Sequence, residues 1–246
     1  MKKQLIMLAL VAAATGFFEP ATRAETAPAE QVQQIISAFN DRKGKLTATT
    51  NEQHFDDVVA EYNRQVQECS QHLIRIVLAD PTAPTSEEGL RWVIANSQPS
   101  AAEFEQSLIL YERYFATCAK FRQVCPFLKP VQSKAAEPLL RKVMKKNEAE
   151  DVRGTACFIL AKRLQLTNPK ESQRLFNLVV RKYADVRAPD KTSTLGFMAQ
   201  QALYEIQHLS IGKTAPEISG TDVEGKPFKL SDYRGKIVMV DFYGDW

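Results

Sequence analysis

Four cysteines and three histidines are the residues of this chain with the most obvious potential for chemistry. No two cysteines form a Cys-x-x-Cys pair, so their spacing indicates neither a zinc site nor a local redox pair. They lie on or beside apolar stripes, which predicts buried thiols that pack as small hydrophobes. The histidines are scattered, and we expect no metal and no cofactor. The residues are Cys69, Cys118, Cys125, Cys157, His54, His72 and His208.

An aspartate near the C-terminal end is the next candidate. Asp241 lies in a run of β-forming apolar residues, 237–243, of the type found in strands buried on both faces. Burying an aspartate is unfavourable, so Asp241 needs a structural or chemical reason. Upstream, residues 218–223 and 228–230 flank a Glu-Gly turn, which predicts a hairpin. Residues 232–236 predict a tight polar turn before the strand.

The order of these features resembles a known group. Ala215-Pro216, the Leu-x-Asp-Tyr-Arg-Gly-Lys turn at 230–236 and the strand after it follow one another as in the redoxin group. That group comprises the alkyl hydroperoxide reductase/thiol-specific antioxidant (AhpC/TSA) and TlpA-like thiol-disulfide proteins of the thioredoxin superfamily. The resemblance covers 211–246 and implies an incomplete α/β thioredoxin-like domain over 210–246. It also implies that Asp241 is the buried proton-relay aspartate and that Trp246 precedes the nucleophile.

The resemblance places the nucleophilic cysteine at position 247, beyond the 246 residues of this sequence. Such a thiolate needs a helix N-terminus and a partner cysteine to lower its pKa. We therefore expect the chain as written to be an inactive fragment. A selenocysteine codon read as a stop would explain this endpoint; a nonsense mutation, a frameshift or an incomplete assembly are the alternatives.

Three functions are compatible with these residues. The first is a fragment of an exported thiol-disulfide oxidoreductase, which would need a thiol or disulfide protein partner or reductant. The second is a helical protein-binding module with a relic redoxin tail. The third is a truncated peroxiredoxin, which ranks lower because residues 244–246 fit a Trp-Cys-x-x-Cys lead-in better than a Thr-x-x-Cys one.

The residues ahead of 210–246 are predicted to form helices. Apolar residues recur at helical spacing from Pro28 to Leu209, which predicts a helical domain over residues 25–209. A helical domain ahead of a redoxin domain is familiar in secreted bacterial proteins. One continuous helix is expected from Phe104 to Cys125. Residues 151–183 predict a close helical hairpin of tetratricopeptide type, without a second copy at fixed period. Helix N-caps are expected at Thr85 and Ser100 (each with a Glu three residues on), Asp151 and Asn168.

The N-terminus has the anatomy of a secretory signal peptide, residues 1–24. Two lysines precede an apolar run, and small residues precede a cut after Ala24. Cleavage would remove three basic residues and one acidic residue, so the formal net charge would fall from +3 to +1. We therefore expect export to the periplasm or the medium, no nucleic-acid partner and no stable membrane insertion after cleavage.

Overall fold

A computed structural model describes residues 28–48, 55–128, 133–189 and 193–241. The predicted signal peptide and Trp246 lie outside these ranges. The helices are α1 (Pro28–Ala48), α2 (Phe55–Ala79), α3 (Ser86–Asn96), α4 (Ala102–Tyr114), α5 (Phe121–Val124), α6 (Ala136–Lys146), α7 (Glu150–Leu164), α8 (Pro169–Lys182) and α9 (Leu195–Tyr204). Short helical turns follow at Cys125–Leu128, Glu205–Leu209 and Leu230–Tyr233, and the strands are β1 (Ser219–Thr221) and β2 (Pro227–Lys229). The protein is mostly helical, as predicted.

The described residues between 28 and 209, called the helical body, form a stack in which helices close in sequence pack together. Each of α1 to α3 contacts the helix that follows it, α4 contacts α6, and α6 to α9 continue the series. The apolar stripe of α2 shows why: Val66, Cys69, Leu73 and Val77 recur every three or four residues and are all buried. Burying one such side chain contributes about 1.5–3 kcal/mol, so the core favours this stack.

Helices α7 and α8 form the predicted close antiparallel pair. The Ser172 hydroxyl donates to the Ala161 carbonyl at 2.7 Å, and the Cys157 thiol donates to the Leu175 carbonyl at 3.7 Å. Between these two bonds the residue number rises along α8, from 172 to 175, and falls along α7, from 161 to 157, so the two helices run antiparallel. A Cβ on Gly154 would lie 2.9 Å from the Cβ of Tyr183, and glycine therefore permits the close approach.

The expectation of one helix from Phe104 to Cys125 is wrong. Helix α4 ends at Tyr114, and a turn separates it from α5. Asn147, which is buried, donates from Nδ2 to the carbonyls of Ala116 at 3.0 Å and Cys118 at 3.1 Å. In a continuous helix those carbonyls would accept bonds from N–H groups four residues later. A distant side chain therefore stabilises the break, and no proline or glycine announces it in the sequence.

Two of the predicted capping boxes are also wrong. Thr85 precedes α3, but its side chain makes no capping hydrogen bond. The residue before α4 is Ala101 rather than Ser100. The carboxylates expected to complete the boxes bind other helices instead: Glu88 accepts a hydrogen bond from Gln33 at 2.6 Å and Glu103 one from Gln71 at 2.9 Å.

Asp151 does not cap α7, because Ala149 holds that position. Its carboxylate accepts from Arg122 Nη1 at 2.6 Å, which joins α7 to α5. Asn168 caps α8 as predicted: its side chain accepts the Glu171 N–H at 3.2 Å, and proline follows at the first helical position.

The C-terminal segment, residues 210–246, is described as far as Asp241. Strands β1 and β2 pair antiparallel with Gly220 opposite Phe228, which confirms the hairpin. Gly225 has φ +80° in the connecting turn, a value that glycine adopts without strain. The hydrogen bonds recorded for 213–236 have their partners inside 210–236. The hairpin is therefore organised by its own chain neighbours.

In the described ranges, no helix combines the length and the apolar character that a bilayer crossing requires.

Candidate functional site

Asp241, the predicted proton-relay residue, is exposed at the last described position. The expected strand over 237–243 is not formed in its described part, 237–241, which pairs with no other strand. Ile237 and Met239 are almost fully exposed, at 104% and 93%. A strand becomes buried only when neighbouring strands and a packing layer cover it, and the described sheet contains β1 and β2 alone. Trp246, the other predicted site residue, lies outside the described residues.

The turn that leads to Asp241 is well organised. The Asp232 carboxylate accepts the Lys229 N–H at 2.9 Å, and the Glu217 carboxylate accepts the Ser231 N–H at 3.0 Å. Hydrogen bonding to Ser231, first through its side chain and then through its backbone N–H, holds the pKa of Glu217 below its ordinary value. These bonds fasten the segment that opens with Ala-Pro to the start of the polar turn. The segment that resembles the redoxin group is thus held together locally by its own hydrogen bonds.

Cys125 and Cys157 are fully buried in the helical body. Burial raises the pKa of the Cys125 thiol far above its usual range and that of Cys157 to about 12. A thiol reacts as its thiolate, so both side chains are held in the unreactive form. The structure confirms the prediction that these cysteines serve as core residues.

Cys69 and Cys118 are the other two free thiols of the helical body. Cys69 is buried, and although Arg42 Nη2 lies 3.8 Å from its sulfur, burial dominates and raises its pKa. Cys118 is half-buried in the turn held by Asn147. All four cysteines lie within the described ranges and all four are free thiols. The described part of the helical body therefore contains no disulfide.

The helical body contains a buried carboxylate that was not predicted from the sequence. The side chain of Glu87, on α3, is only 5% exposed. Its Oε1 accepts bonds from the Tyr111 hydroxyl at 2.9 Å and from Arg91 Nε at 3.2 Å. Lys120 Nζ lies 3.6 Å from Oε2, beyond hydrogen-bond range, and Oε2 has no other partner among the described residues. Charge spacing along one helix suggests the Glu87–Arg91 pair; nothing in the sequence points to Tyr111.

A groove of about 400 Å³ runs along the face of α3 that carries Arg91. The walls come from α1 and from the stretch that contains α5 and the following turn. Its lining combines two aromatic rings with one guanidinium, one carboxylate and two amides. The lining residues are Ile36, Glu88, Arg91, Trp92, Ala95, Asn96, Gln123 and Phe127.

Comparison with known proteins concerns a short stretch of the chain. It is 38% identical over 56 residues to a thiol-disulfide oxidoreductase ResA of Bacillus cereus, and 40% identical over 53 residues to one of Bacillus thuringiensis. A Geobacillus kaustophilus ResA is 47% identical over 38 residues. These alignments cover 22%, 21% and 15% of this chain and 32%, 31% and 22% of the relatives.

The chain thus spans a third or less of the curated relatives it matches. No family model matches it, and no solved structure matches it. The matches support a relationship to thioredoxin-like oxidoreductases, a class that works on thiols and disulfides. They agree with the class indicated by the residue order at 211–246.

Proposed function

We propose that residues 210–246 are the first part of a thioredoxin-like thiol-disulfide oxidoreductase domain, carried by an exported protein behind a helical, partly tetratricopeptide-like domain. The observation that carries this proposal is the similarity to thiol-disulfide oxidoreductases in a chain whose own four cysteines are unpaired. The redox pair of such a protein would have to lie outside residues 1–246. As a fragment, this chain is inactive in thiol-disulfide exchange.

In the longer protein, Asp241 would take its place in a completed sheet and relay protons to the active-site thiols, and Trp246 would precede the nucleophile. The reason for this assignment is chemical. An attacking thiol must lose a proton and a leaving thiolate must regain one, and a carboxylate nearby can hold that proton in between. The partner would be a protein disulfide or a dithiol reductant.

The test compares the chain of residues 25–246 with the longer product encoded when the message is read past codon 246. Reduction of insulin disulfides by dithiothreitol is the assay. The shorter chain should give only the background rate, and the longer one should catalyse the reaction through a Cys-x-x-Cys or selenocysteine-x-x-Cys pair. Activity in the shorter chain, or no such pair downstream, would refute the proposal.

The role of Asp241 is tested in the longer protein by Asp241→Asn. We expect turnover near neutral pH to fall about 100-fold, the low end of what general acid-base groups contribute. Glu224→Gln is the matched control, because this exposed side chain lies in the hairpin turn, away from Asp241 along the chain. Equal turnover of the two variants would rule out a proton-relay role for Asp241.

A further inference from the structure

We propose that the groove along α3 binds an extended peptide in which a carboxylate stands next to an apolar side chain. The inference concerns the helical body and does not depend on the thiol chemistry proposed above. It starts from the position of the lining residues on α3: Glu88, Arg91, Trp92, Ala95 and Asn96 recur every three or four residues and share one face. From the first to the last, this face is about 12 Å long, which suits three or four extended residues.

Arg91 supplies the group that would bind the carboxylate. Its side chain is 27% exposed, and its Nε donates to the buried Glu87. A guanidinium has four further N–H donors on its two Nη atoms. None of the four has an acceptor within the described part of the chain. The bond to Glu87 holds the guanidinium in place, and the remaining donors match the two oxygens of a carboxylate.

The charges around Arg91 also favour an anionic ligand. Glu87 is a single carboxylate approached by two cations, Arg91 and Lys120, so this cluster carries one excess positive charge. Glu88 lies on the same face and keeps its negative charge, because the bond that its Oε2 accepts at 2.6 Å comes from the neutral amide of Gln33 on α1. A carboxylate at Arg91 would therefore balance the charges of Glu87, Arg91 and Lys120, with Glu88 as a separate charge on the side of the groove that faces α1.

The other lining groups fit a peptide rather than a small free anion. Trp92 is fixed edge-to-face against Phe39, with ring centroids 4.8 Å apart, and Phe127 is 38% exposed. These rings offer apolar surface for a side chain. Asn96 spends its Nδ2 on the Trp92 carbonyl at 2.8 Å, which leaves its oxygen to accept a peptide N–H. Gln123 is exposed and its amide can pair with a peptide group from the other wall.

The test uses Trp92 as its reporter in the full chain with Trp246→Phe, which leaves Trp92 as the only tryptophan. Three unlabelled probes are titrated: Gly-Ser-Ala-Leu-Leu with a free C-terminal carboxylate, the same peptide amidated, and amidated Gly-Ser-Asp-Leu-Leu. We expect the Trp92 emission to shift saturably with a carboxylate-bearing peptide. The amidated peptide without an aspartate, which has no carboxylate, should bind at least about tenfold more weakly, the usual effect of one charge-assisted hydrogen bond. Comparison of the first and third probes shows whether the groove prefers a C-terminal carboxylate or the carboxylate of an acidic side chain.

Variants connect this preference to the groove. Arg91→Gln should abolish the preference for a carboxylate, whereas Arg91→Lys should keep it with weaker affinity. Because Arg91→Gln also removes a partner of buried Glu87, circular dichroism must show that it is folded. Gln123→Ala disturbs no recorded bond and should weaken all probes a few-fold, while Gln200→Ala, on the exposed side of α9, should not.

Several outcomes would overturn the proposal. One is the absence of any shift up to about 1 mM peptide, the weakest affinity that a specific site would show. Another is equal binding of acid and amide. A third is an equal shift with sodium acetate, which would indicate a small-anion site only. A Gln123→Ala variant that binds like the parent would also contradict it.

Discussion

The helical body and the C-terminal segment both carry large apolar residues, but only the body buries them. Phe104, Tyr111 and Phe176 are at most 1% exposed, whereas Ile237 and Met239 are more than 90% exposed. A helix satisfies its backbone hydrogen bonds within itself and needs only a neighbour for its apolar face. A strand needs a partner for its backbone as well. The helical body can therefore bury its apolar residues with its own helices. The apolar stretch 237–240 stays exposed, because the described sheet, β1 and β2, offers it no partner strand.

The largest expected effect comes from a matched pair of deletions in the two regions. Phe176→Ala removes a fully buried ring that packs edge-to-face on Phe158 at 5.8 Å, so it should lower the free energy of unfolding by about 3–5 kcal/mol. Ile237→Ala removes an exposed side chain and should leave it unchanged. Urea unfolding followed by helical circular dichroism measures both. Similar losses for the two variants would show that 237–240 packs on the body.

A glycine pair tests how tightly the body is packed. A Cβ on Gly196 would lie 2.7 Å from Ala184 Cα and 2.8 Å from its carbonyl oxygen, which are backbone atoms that cannot turn aside. Gly196→Ala should therefore destabilise the body by about 1–3 kcal/mol. Gly44→Ala, on α1, meets nothing within 4 Å and should stabilise it by up to about 1 kcal/mol. Thermal unfolding decides, and a neutral Gly196→Ala would mean that α9 moves away easily.

The helices could be predicted from sequence because their signals are local. The helical spacing of apolar residues, seen in α2, the N-cap of α8 at Asn168 and the hairpin turn at Gly225 all appeared where expected. The break after Tyr114 could not be predicted, because its cause is Asn147, about thirty residues away.

The candidate groups divide in the same way. The burial of Cys69, Cys125 and Cys157 followed from the apolar stripes, whereas Cys118, which was also predicted to be buried, is half-buried in the turn after α4. The Glu87–Tyr111 bond joins residues 24 apart on different helices, and the groove on α3 needs walls from α1 and from the α5 region. Local periodicity contains no information on either. The role of Asp241 stays a prediction, because the described sheet contains β1 and β2 alone and Asp241 belongs to neither strand.

A surface ion pair in the body gives a smaller effect that depends on pH. Arg141 binds the Glu171 carboxylate through both Nη atoms, at 2.8 and 3.0 Å. These bonds hold the pKa of Glu171 below its ordinary value. A depressed pKa in the folded state stabilises the fold above the unfolded pKa of about 4.3, and this stabilisation is lost as the pH falls through the folded value.

Glu171→Gln should therefore cost at most about 1 kcal/mol at pH 7, since the pair is partly exposed and screened by solvent. The difference from the parent should shrink below pH 4 and be smaller in high salt. Urea unfolding at pH 7, 5 and 3 is the measurement. Glu224→Gln, in the hairpin, serves as the control and should show no difference at any pH. A gap that persists at pH 3 would mean that packing rather than charge accounts for the effect.

The smallest expected effect on the stability of the helical body comes from removing most of the C-terminal segment. Ending the chain at Ser210 removes residues 211–246, whose recorded hydrogen bonds are local and whose described residues include none that are buried. The midpoint of thermal unfolding and the helical circular dichroism per helical residue should stay unchanged. Solubility should rise, because 237–240 is an exposed, uncharged stretch with unpaired backbone that can join strands of other molecules.

Met239→Lys in the 246-residue chain tests whether the exposed stretch 237–240, rather than the length of the chain, causes aggregation. A charge in the middle of the stretch should reduce aggregation nearly as much as truncation does, because a strand edge that carries lysine pairs poorly with copies of itself. Lys213→Met, the reverse change at an exposed linker position, should not help. Light scattering over time at fixed concentration compares the three proteins. If truncation instead unfolds the helices, the C-terminal segment belongs to the core of the body, and the contrast between the two regions is wrong.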